Sequence, residues 1–548
     1  MQIRVDQFGG IAPQVHPLQL AEGLSQKAVN LRFERQVLEP FRGFTPAGFS
    51  LPSNTRSIYR YGSVFMGWAN PVVKAVDAAK VSDPFDYLLI ADVNYPKITR
   101  NDMATNSPPY PTTTYRLGVP QPTWPNNNPT VSRIDDAKAP EEGLDIQTAT
   151  AYRLSFVNGF GFEGPLSDPT NIVRYYEGFD AISLQLPTSF PGSGHYLTGA
   201  NVRIYRANSL GQYQYVDEVS LGTPAYTDDK PSDELGLLSE TDNWFGPPDE
   251  DTTINPAGPL RNLTAMPGGF FIGSTGDELC ASVPDAPYAW PYRTPLGYQI
   301  VGIATMGNAA VVTTTGPTFV VQGVDPSALQ PTRINTNQSC VSSRSVVNVG
   351  EMVIYASPDG LVGVAGYDAT ILTEGLVTKE EWQAIFKPEQ IHAYYYEGKY
   401  IFFNNTRGWV FRPGKGLQSL GELNFVATTG YTDTDNDKLF LMVAGVITEF
   451  DSNNARLQYD WQSKLFRSPV PTNFGYMQVI AETYPTTVSF HAKKMSGQWV
   501  QTTLTFTDAK PKFLPSGYVY QDFYFSAQGT AAINSISVAH SLSEFDYV

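Results

Sequence analysis

The stretch that decides the fold reads IVGIATMGNAAVVTTTGPTFVV over residues 300–321. It consists of short runs of β-branched and other apolar residues, separated by turns at Gly307-Asn308 and Gly316-Pro317. The same pattern continues to Gly366, with further runs at 345–349, 352–355 and 361–364. Short apolar runs punctuated by Gly, Pro, Asn and Asp predict antiparallel meanders. Their spacing fits the blades of a propeller or the strands of a sandwich.

The composition agrees with a large all-β protein. A chain of 548 residues is long enough for several domains with their own cores. It has 31 Tyr, 31 Phe, 46 Gly and 42 Pro but only 16% charged residues, a profile that favours strands and turns over helices. Two cysteines, Cys280 and Cys340, form no disulfide framework, so stability must come from packing.

Nothing in the sequence directs the chain to a membrane. The N-terminus lacks the basic and then apolar run of a secretory signal. No apolar run approaches the roughly 18 residues that a membrane helix needs. We therefore expect a protein that is made in a cytoplasm and has no contact with a membrane.

Changes in pattern along the chain predict four parts. Residues 1–45 are an extended N-terminal arm broken by Gly and Pro, and a Pro- and Asn-rich linker near 108–129 separates two β-rich regions. Residues 148–157 alternate between apolar and polar side chains, as a half-buried strand does. The predicted domains are the arm at 1–45, a β-propeller-like body at 46–115 and 255–465, an inserted fibronectin-III-like or immunoglobulin-like sandwich at 116–254, and a C-terminal β module at 466–548.

Two local signals are sharper than the rest. Residues 378–381 form a capping box, and Pro388 ends the helix that it begins. This helix should present one apolar face, formed by Trp382, Ile385 and Phe386. Residues 397–399 are flanked by aromatic runs at 393–396 and 400–403, which predicts a β-hairpin.

The search for catalytic chemistry finds no site. The five histidines are scattered, with none spaced as a metal-binding pair, and no nucleophile elbow, P-loop or dinucleotide fingerprint is present. The turn at 433–437 begins like a calcium loop, but Lys438 stands where glycine is needed and Ala444 where a glutamate would close the loop. Residues 357–360 are similar to the hairpin turn of sialidase-type propellers, yet the turn occurs once and is better interpreted as structural. We expect no enzyme, no metal and no cofactor.

The chain resembles the nozzle, or tail tubular, proteins of short-tailed bacteriophages. Segments spread over most of its length carry this resemblance: Gln7-Phe8-Gly9-Gly10-Ile11-Ala12-Pro13, Ala28-Val29-Asn30-Leu31, Gly161-Phe162-Glu163-Gly164-Pro165, Val202-Arg203-Ile204-Tyr205-Arg206, Met266-Pro267-Gly268-Gly269-Phe270-Phe271 and Leu514-Pro515-Ser516-Gly517-Tyr518. The resemblance implies a virion structural protein that is assembled in the host bacterial cytoplasm. It also implies a homo-oligomeric ring, a hexamer, that contacts adaptor or portal-side proteins and tail fibre or spike proteins.

Double-stranded DNA would pass through such a ring without specific binding. The formal net charge of −16 suits this role, because a like-charged wall does not adsorb phosphates. The candidate channel-lining residues are the acidic positions Asp249, Glu250, Asp251, Asp433, Asp435 and Asp437. The arm at 1–20 and the inserted module would be surfaces open to neighbouring proteins.

Two other functions fit the same composition. The many aromatic residues could form sugar-stacking platforms of a carbohydrate-binding or carbohydrate-cleaving propeller that acts on host surface glycans. A glycosidase would need two carboxyl groups about 5–10 Å apart, which a sequence cannot reveal. A fibre-like receptor binder would show a repeat of fixed period, and the sequence has none.

Overall fold

The computed structural model describes residues 2–79, 85–134, 146–414, 419–515 and 517–545. The chain divides into two compact units. Unit one comprises the described parts of Met1–Val72, Val311–Val320 and Thr332–Val548, and unit two comprises those of Val73–Ala310 and Val321–Pro331.

Strands dominate both units. The first are β1 Gln2–Val5, β2 Ser25–Val29, β3 Leu31–Arg32, β4 Glu39–Pro40, β5 Thr45–Pro46, β6 Ser57–Tyr61, β7 Val64–Trp68, β8 Lys74–Ala79, β9 Asp86–Ala91, β10 Lys97–Arg100 and β11 Tyr115–Arg116. Next come β12 Thr130–Arg133, β13 Thr148–Thr150, β14 Tyr152–Val157, β15 Val173–Tyr175, β16 Asp180–Gln185, β17 Asn201–Ala207, β18 Tyr213–Ser220, β19 Ala225–Asp228, β20 Arg261–Met266, β21 Phe270–Thr275, β22 Glu278–Ala281 and β23 Tyr292–Pro295.

The second half of the chain continues in the same way. It contains β24 Ile300–Met306, β25 Ala309–Thr314, β26 Phe319–Gln322, β27 Gln330–Arg333, β28 Val347–Asn348, β29 Val353–Ala356, β30 Leu361–Ala365, β31 Asp368–Ile371, β32 His392–Tyr396, β33 Lys399–Phe403, β34 Gly408–Phe411 and β35 Leu420–Leu423. It ends with β36 Ala427–Asp433, β37 Lys438–Val443, β38 Val446–Glu449, β39 Tyr459–Ser463, β40 Phe466–Thr472, β41 Tyr476–Ala481, β42 Thr486–Lys494, β43 Trp499–Phe506, β44 Lys512–Phe513, β45 Tyr520–Gly529 and β46 Ile533–Ala539.

Helical segments are short. They are α1 Asn101–Ala104, α2 Lys379–Glu381 with its π-helical continuation Trp382–Phe386, and the 3-10 turns Ser232–Glu234, Pro326–Ala328, Ser343–Ser345, Pro388–Gln390 and Leu542–Glu544.

The strands pair mainly as four-stranded antiparallel meanders. In unit two, β8 to β11 pair in chain order, and so do β20 to β23. In unit one, β28 to β31 and β32 to β35 do the same, and β36 to β38 are completed by β5 as a fourth strand. Such meanders are the building blocks of propeller blades. The predicted fold class is therefore confirmed: the chain is all-β with a propeller-like body.

The inserted module in unit two is a sandwich of small sheets. Sheets β12-β16-β19 and β14-β17-β18 contribute side chains to one apolar core, among them Leu154, Phe156, Ile182, Leu184, Val202 and Ile204. The run at 148–157, predicted as one half-buried strand, is divided into β13 and β14. Strand β14 is buried on both faces except at Arg153, and the Ser155 hydroxyl donates to the Glu163 carboxylate at 2.6 Å.

The N-terminal segment is not an open arm, because its strands are paired within unit one. Polar residues along it, among them Gln2, Arg4, Asp6 and Gln7, are exposed, so its availability to neighbouring proteins stays a prediction. Strand β1 pairs with β46, and β2 lies within a sheet that continues through β39 to β45, β42 and β43. Phe8 is 2% exposed and contacts Trp461 edge-on at 5.0 Å. Apolar side chains in this segment are buried because they fill the core between strands from the end of the chain.

The capping box is confirmed, but the apolar face of the helix is not the predicted one. The Thr378 hydroxyl accepts from the Glu381 backbone N–H, and the Glu381 carboxylate accepts from the Thr378 N–H. The following turn is π-helical, and within it Trp382 and Phe386 are buried and stack at 5.1 Å. Ile385 is 39% exposed, because the wider turn aligns residues 382 and 386 and leaves residue 385 outside.

Candidate functional site

The predicted acidic loop at 249–251 is held by an arginine of the same unit. Arg116 forms ion pairs with Glu250 and, at 3.6 Å, with Asp249, while its guanidinium lies 3.9 Å from the centre of the Tyr95 ring. Asp249 also accepts from the Asn255 amide at 3.0 Å. Two of the three carboxylates are thus neutralised locally, and the loop is tied to strand β11.

His195 lies beside this arginine. Its Nδ1 is buried and has no hydrogen-bond partner among the described atoms. Burial, together with the charge of Arg116, lowers the pKa of His195 to about 4. The imidazole is therefore neutral at physiological pH and adds no positive charge to the loop.

The second predicted acidic segment, at 433–437, is the hairpin turn between β36 and β37. The Asp433 carboxylate is buried, pairs with Arg60 and accepts from the Asn436 side chain at 3.0 Å. Burial raises the pKa of Asp433, but hydrogen bonds from Asn436 and the charge of Arg60 outweigh it and lower the pKa below its ordinary value. Asp433 is a structural residue of the turn, whereas Asp435 and Asp437 are exposed to solvent.

The two acidic segments belong to different units, so each remains a separate prediction for the channel. Within the described ranges, no group of three or more His, Cys, Asp or Glu side chains is arranged to hold a metal ion. Both cysteines are buried and free, and burial raises the pKa of Cys280 to about 12 and that of Cys340 to about 11. Both thiols are therefore protonated at neutral pH, whereas a nucleophilic cysteine must be a thiolate.

A groove in unit one was not predicted from the sequence. It has a volume of about 520 Å³ and is lined by residues of β2, β34, β35, β39 and β45 together with the loops beside them. Strands β2 and β35 run parallel and share a single registered pair, Val29 with Glu422. On the other side of β2, Val29 pairs with Asp460, which in turn pairs with Gln528. The register thus brings two carboxylates and an amide to neighbouring strands at one level of the sheet.

Asn30 fixes the chain at the end of β2. It is fully buried with a φ of 57°, a left-handed conformation that asparagine tolerates better than most residues. Its side-chain amide donates to the Gln458 carbonyl at 2.7 Å, and its side-chain oxygen accepts from the Asn424 N–H at 3.1 Å. One buried amide therefore joins two walls of the groove.

Comparisons with known proteins do not identify a family. No protein-family model matches the chain, and neither does any curated protein. BamB from Moraxella catarrhalis is 12% identical over 60% of this chain and 98% of its own, with a TM-score of 0.26. Kluyvelomyces marxianus Hsv2 is 9% identical over 60% of this chain and 94% of its own, with a TM-score of 0.26.

Porphyromonas gingivalis PorZ is 11% identical over 63% of this chain and 50% of its own, with a TM-score of 0.24. At TM-scores this low, these likenesses carry no argument about the function of this chain. Among the residues that the structure describes, no helix is long and apolar enough to cross a membrane.

Proposed function

We propose that this protein is a structural component of a phage tail, a nozzle or head-to-tail part, that forms a homo-oligomeric ring around a channel for DNA. The observation that carries the proposal is the order of its modules. A four-stranded meander, β8 to β11, is followed by the inserted sandwich and then by a second meander, β20 to β23. The chain ends in a strand module that also takes in β1 and β2. The nozzle proteins that the chain resembles have a β-propeller body and often carry a fibronectin-like insertion, and the arrangement of modules in this chain agrees with that organisation.

A bare sheet edge in unit one supports assembly with further copies. Strand β43 stands at the end of its sheet, pairs with β42 without a register shift, and contains no charged residue, proline or glycine between Trp499 and Phe506. Monomeric proteins usually protect such an edge with lysine, proline or a bulge. Here a single capping contact is present along the edge in the described region: Lys512 Nζ donates to the Thr505 carbonyl at 2.5 Å. A long neutral edge is suited to pairing with another chain.

The acidic balance of the chain supports the passage of DNA. With a net charge of −16, a ring of identical subunits repels phosphates overall, even though Arg116 and Arg60 neutralise some of the candidate carboxylates. Asp251, Asp435 and Asp437 have no arginine or lysine within ion-pair distance in the described region, and all three are exposed.

Light scattering and electron microscopy of the purified full chain test the proposal. We expect a closed ring with a central channel wide enough for duplex DNA, and labelling of the tail when antibodies are applied to particles made by the encoding genome. A chain that stays monomeric at every concentration and does not label particles would overturn it.

A pair of lysine substitutions tests the contribution of the edge. Thr503→Lys on β43 is expected to weaken the assembly, because it places a charge on the pairing edge. Gln185→Lys adds the same charge at an exposed position on β16, the central strand of the sheet β12-β16-β19, and is the matched control away from this edge. If the two variants assemble equally well, β43 is not part of the interface.

A further inference from the structure

The net charge of the chain is divided unevenly between its two units. The sequence of unit two contains 14 Lys and Arg against 29 Asp and Glu, a net charge of −15. The sequence of unit one contains 23 Lys and Arg against 24 Asp and Glu, a net charge of −1. A basic surface on unit one therefore finds complementary charge on unit two of another copy of the chain.

Such a basic surface lies at one end of the ten-stranded sheet of unit one. Trp499 on β43 is opposite Lys493 on β42, and Lys493 is opposite Asp522 on β45. Asp522 is in turn opposite Arg467 on β40, and directly opposed side chains lie on the same face of a sheet. Arg467 binds both oxygens of the Asp522 carboxylate, at 2.6 and 2.8 Å, with 58% of its own side chain exposed. With Lys494 next in the chain, this end of the sheet has three cations and one carboxylate.

Large apolar side chains are exposed at the same end of the sheet. Four of them are found there: Val470 at 62%, Met495 at 63%, Trp499 at 43% and Val519 at 47%. Met495 lies in the turn between β42 and β43, and Val470 lies in the irregular part of β40. Together with Arg467, Lys493 and Lys494, these four residues form a surface that we name the basic tip. Exposed Trp, Met and Arg side chains beside each other are typical of protein interfaces.

A segment of opposite charge lies on the inserted sandwich of unit two. Residues 229–240 follow β19 and include the 3-10 turn Ser232–Glu234. The end of the segment runs along the edge strand β18: the Gly236 N–H donates to the Tyr215 carbonyl at 2.8 Å, and the Tyr215 N–H donates to the Leu237 carbonyl at 2.9 Å. Backbone hydrogen bonds therefore hold this segment, which we name the acidic strap, against the sandwich.

The acidic strap exposes carboxylates and leucines together. Four of its carboxylates are exposed and have no Lys or Arg within ion-pair distance in the described ranges: Asp229, Asp233, Glu234 and Glu240. Lys230, the one cation in the sequence of the strap, donates to the Val216 carbonyl. Leu237 and Leu238 are 86% and 46% exposed. The strap thus matches the basic tip in both respects, with opposite charge and with apolar surface that another protein can bury.

We propose that the basic tip of one copy docks on the acidic strap of the next copy. The proposal rests on the proposed ring and deepens it, because it names one contact of that ring. Every copy has both surfaces, so binding sites and partners are present in equal number. The two surfaces differ, so the contact is heterologous, and contacts of this kind can close a ring of more than two subunits.

Reversing the charge of either surface should weaken the association of copies. Lys493→Glu/Lys494→Glu makes the basic tip acidic, and Asp233→Lys/Glu234→Lys makes the acidic strap basic. Each variant places like charges opposite each other, so we expect self-association of the full chain, measured by sedimentation velocity, to weaken at least about tenfold. Association of the wild type should also weaken as the salt concentration rises.

Mixing the two reversed variants separates a contact between copies from one within a chain. In an equimolar mixture, the reversed tip of one variant meets the reversed strap of the other, and the native tip meets the native strap. We therefore expect the mixture to associate as the wild type does, although each variant alone does not. A contact made within one chain gains nothing from mixing.

A control variant carries the same change in net charge at other places in unit one. Arg35 lies in the loop between β3 and β4, and Lys510 follows the far end of β43; both are exposed. Arg35→Glu/Lys510→Glu should associate like the wild type. All substituted positions are at the surface, so thermal unfolding followed by circular dichroism should give the wild-type transition for each variant.

The proposal is overturned if the two reversed variants associate like the control variant, or if mixing them restores nothing. A closed wild-type ring with either result would leave the ring standing and place its contacts elsewhere. Restored association that stops at pairs or open chains would leave the contact standing and remove the ring. If the wild type floats with phosphatidylglycerol vesicles, the tip variant does not, and both self-associate equally, the tip binds an anionic lipid surface and the proposal is overturned.

Discussion

A buried ionic network in the inserted sandwich offers a test of how this module is stabilised. Arg206 on β17 donates from Nη1 to Asp228 on β19 at 2.8 Å, and the two side chains are 2% and 0% exposed. The Tyr152 hydroxyl donates to the same Asp228 oxygen at 2.7 Å, and Arg206 also donates to the Lys230 carbonyl at 2.9 Å. The network thus connects the two sheets of the sandwich. Burial, and then the charge of Asp228, raises the pKa of Tyr152, so its hydroxyl stays a donor.

Removing one member of the network should lower the stability of the module more than replacing all three members with apolar residues. Arg206→Met leaves the Asp228 carboxylate buried without a cation, and loss of one partner of a buried pair costs about 3–5 kcal/mol. The Nη2 atom of Arg206 has no hydrogen-bond partner among the described residues, so the native pair does not recover its full desolvation cost. Replacing all three groups, as in Arg206→Met/Asp228→Leu/Tyr152→Phe, should therefore restore stability to within about 1 kcal/mol of the wild type.

Hydrogen exchange measured by mass spectrometry reads this difference in the module itself. The full chain has two compact units, so a single global unfolding curve would mix their stabilities. For peptides that cover β14, β17 and β19, the free energy of opening should be about 3–5 kcal/mol lower in Arg206→Met than in the wild type. Peptides from β42 and β43 in unit one are the internal control. A loss below about 1 kcal/mol in Arg206→Met, or an equal loss in the triple variant, would refute the reasoning.

Two further predictions follow from single contacts in unit one. Thr378→Ala removes the hydroxyl that accepts from the Glu381 N–H, and hydrogen exchange in peptides that cover residues 378–386 should show a free energy of opening about 1 kcal/mol lower, with Thr378→Ser as the conservative control that retains the hydroxyl. Asp433→Asn should remove a pH dependence: the folded-state pKa of Asp433 is lowered, so its stabilisation is present above the unfolded-state value of about 3.9 and is lost as pH falls through the lower folded-state pKa. Acid titrations of stability for the two proteins should therefore differ in slope below about pH 4, and parallel curves would contradict the assignment.

Local signals allowed much of the fold to be predicted from the sequence. The predicted hairpin around residues 397–399 is the pair β32 and β33, and Glu397 and Gly398 have φ values of 46° and 74° in the two-residue turn. A type I′ turn requires positive φ at both central positions, and glycine adopts positive φ readily. Gly398 is therefore the residue that predicts this turn from the sequence. The capping box at 378–381 is also a local signal, because Thr378 and Glu381 are only three residues apart and can be identified from the sequence. The exposed position of Ile385 was missed because a π-helical turn has no comparable sequence signature.

Pairing over long sequence distances could not be predicted. The contact between Lys27 and Asp460 joins residues 433 positions apart, and β5 completes a meander whose other strands begin at Ala427. The residues that line the groove are spread from Lys27 to Gln528, and nothing in the sequences of its strands predicts which of them pair with each other. The acidic segments were found from the sequence, but the neutralising Arg116 and Arg60 were not, since they lie far away in the chain.

The same long-range pairing constrains when unit one can form. Strands β1, β2 and β5 from the N-terminus pair with β46, β39 and β38 near the C-terminus, so these sheets remain incomplete until nearly the whole chain has been made. Closing such distant contacts costs chain entropy before packing compensates for it, and the sheets must form late. Strand β43 belongs to the sheet that contains β2. The edge itself comes from the pairing of β43 with β42 and of β42 with β45, all near the C-terminus, so it can form before β2 joins the sheet and only the opposite part of the sheet must wait for the N-terminus.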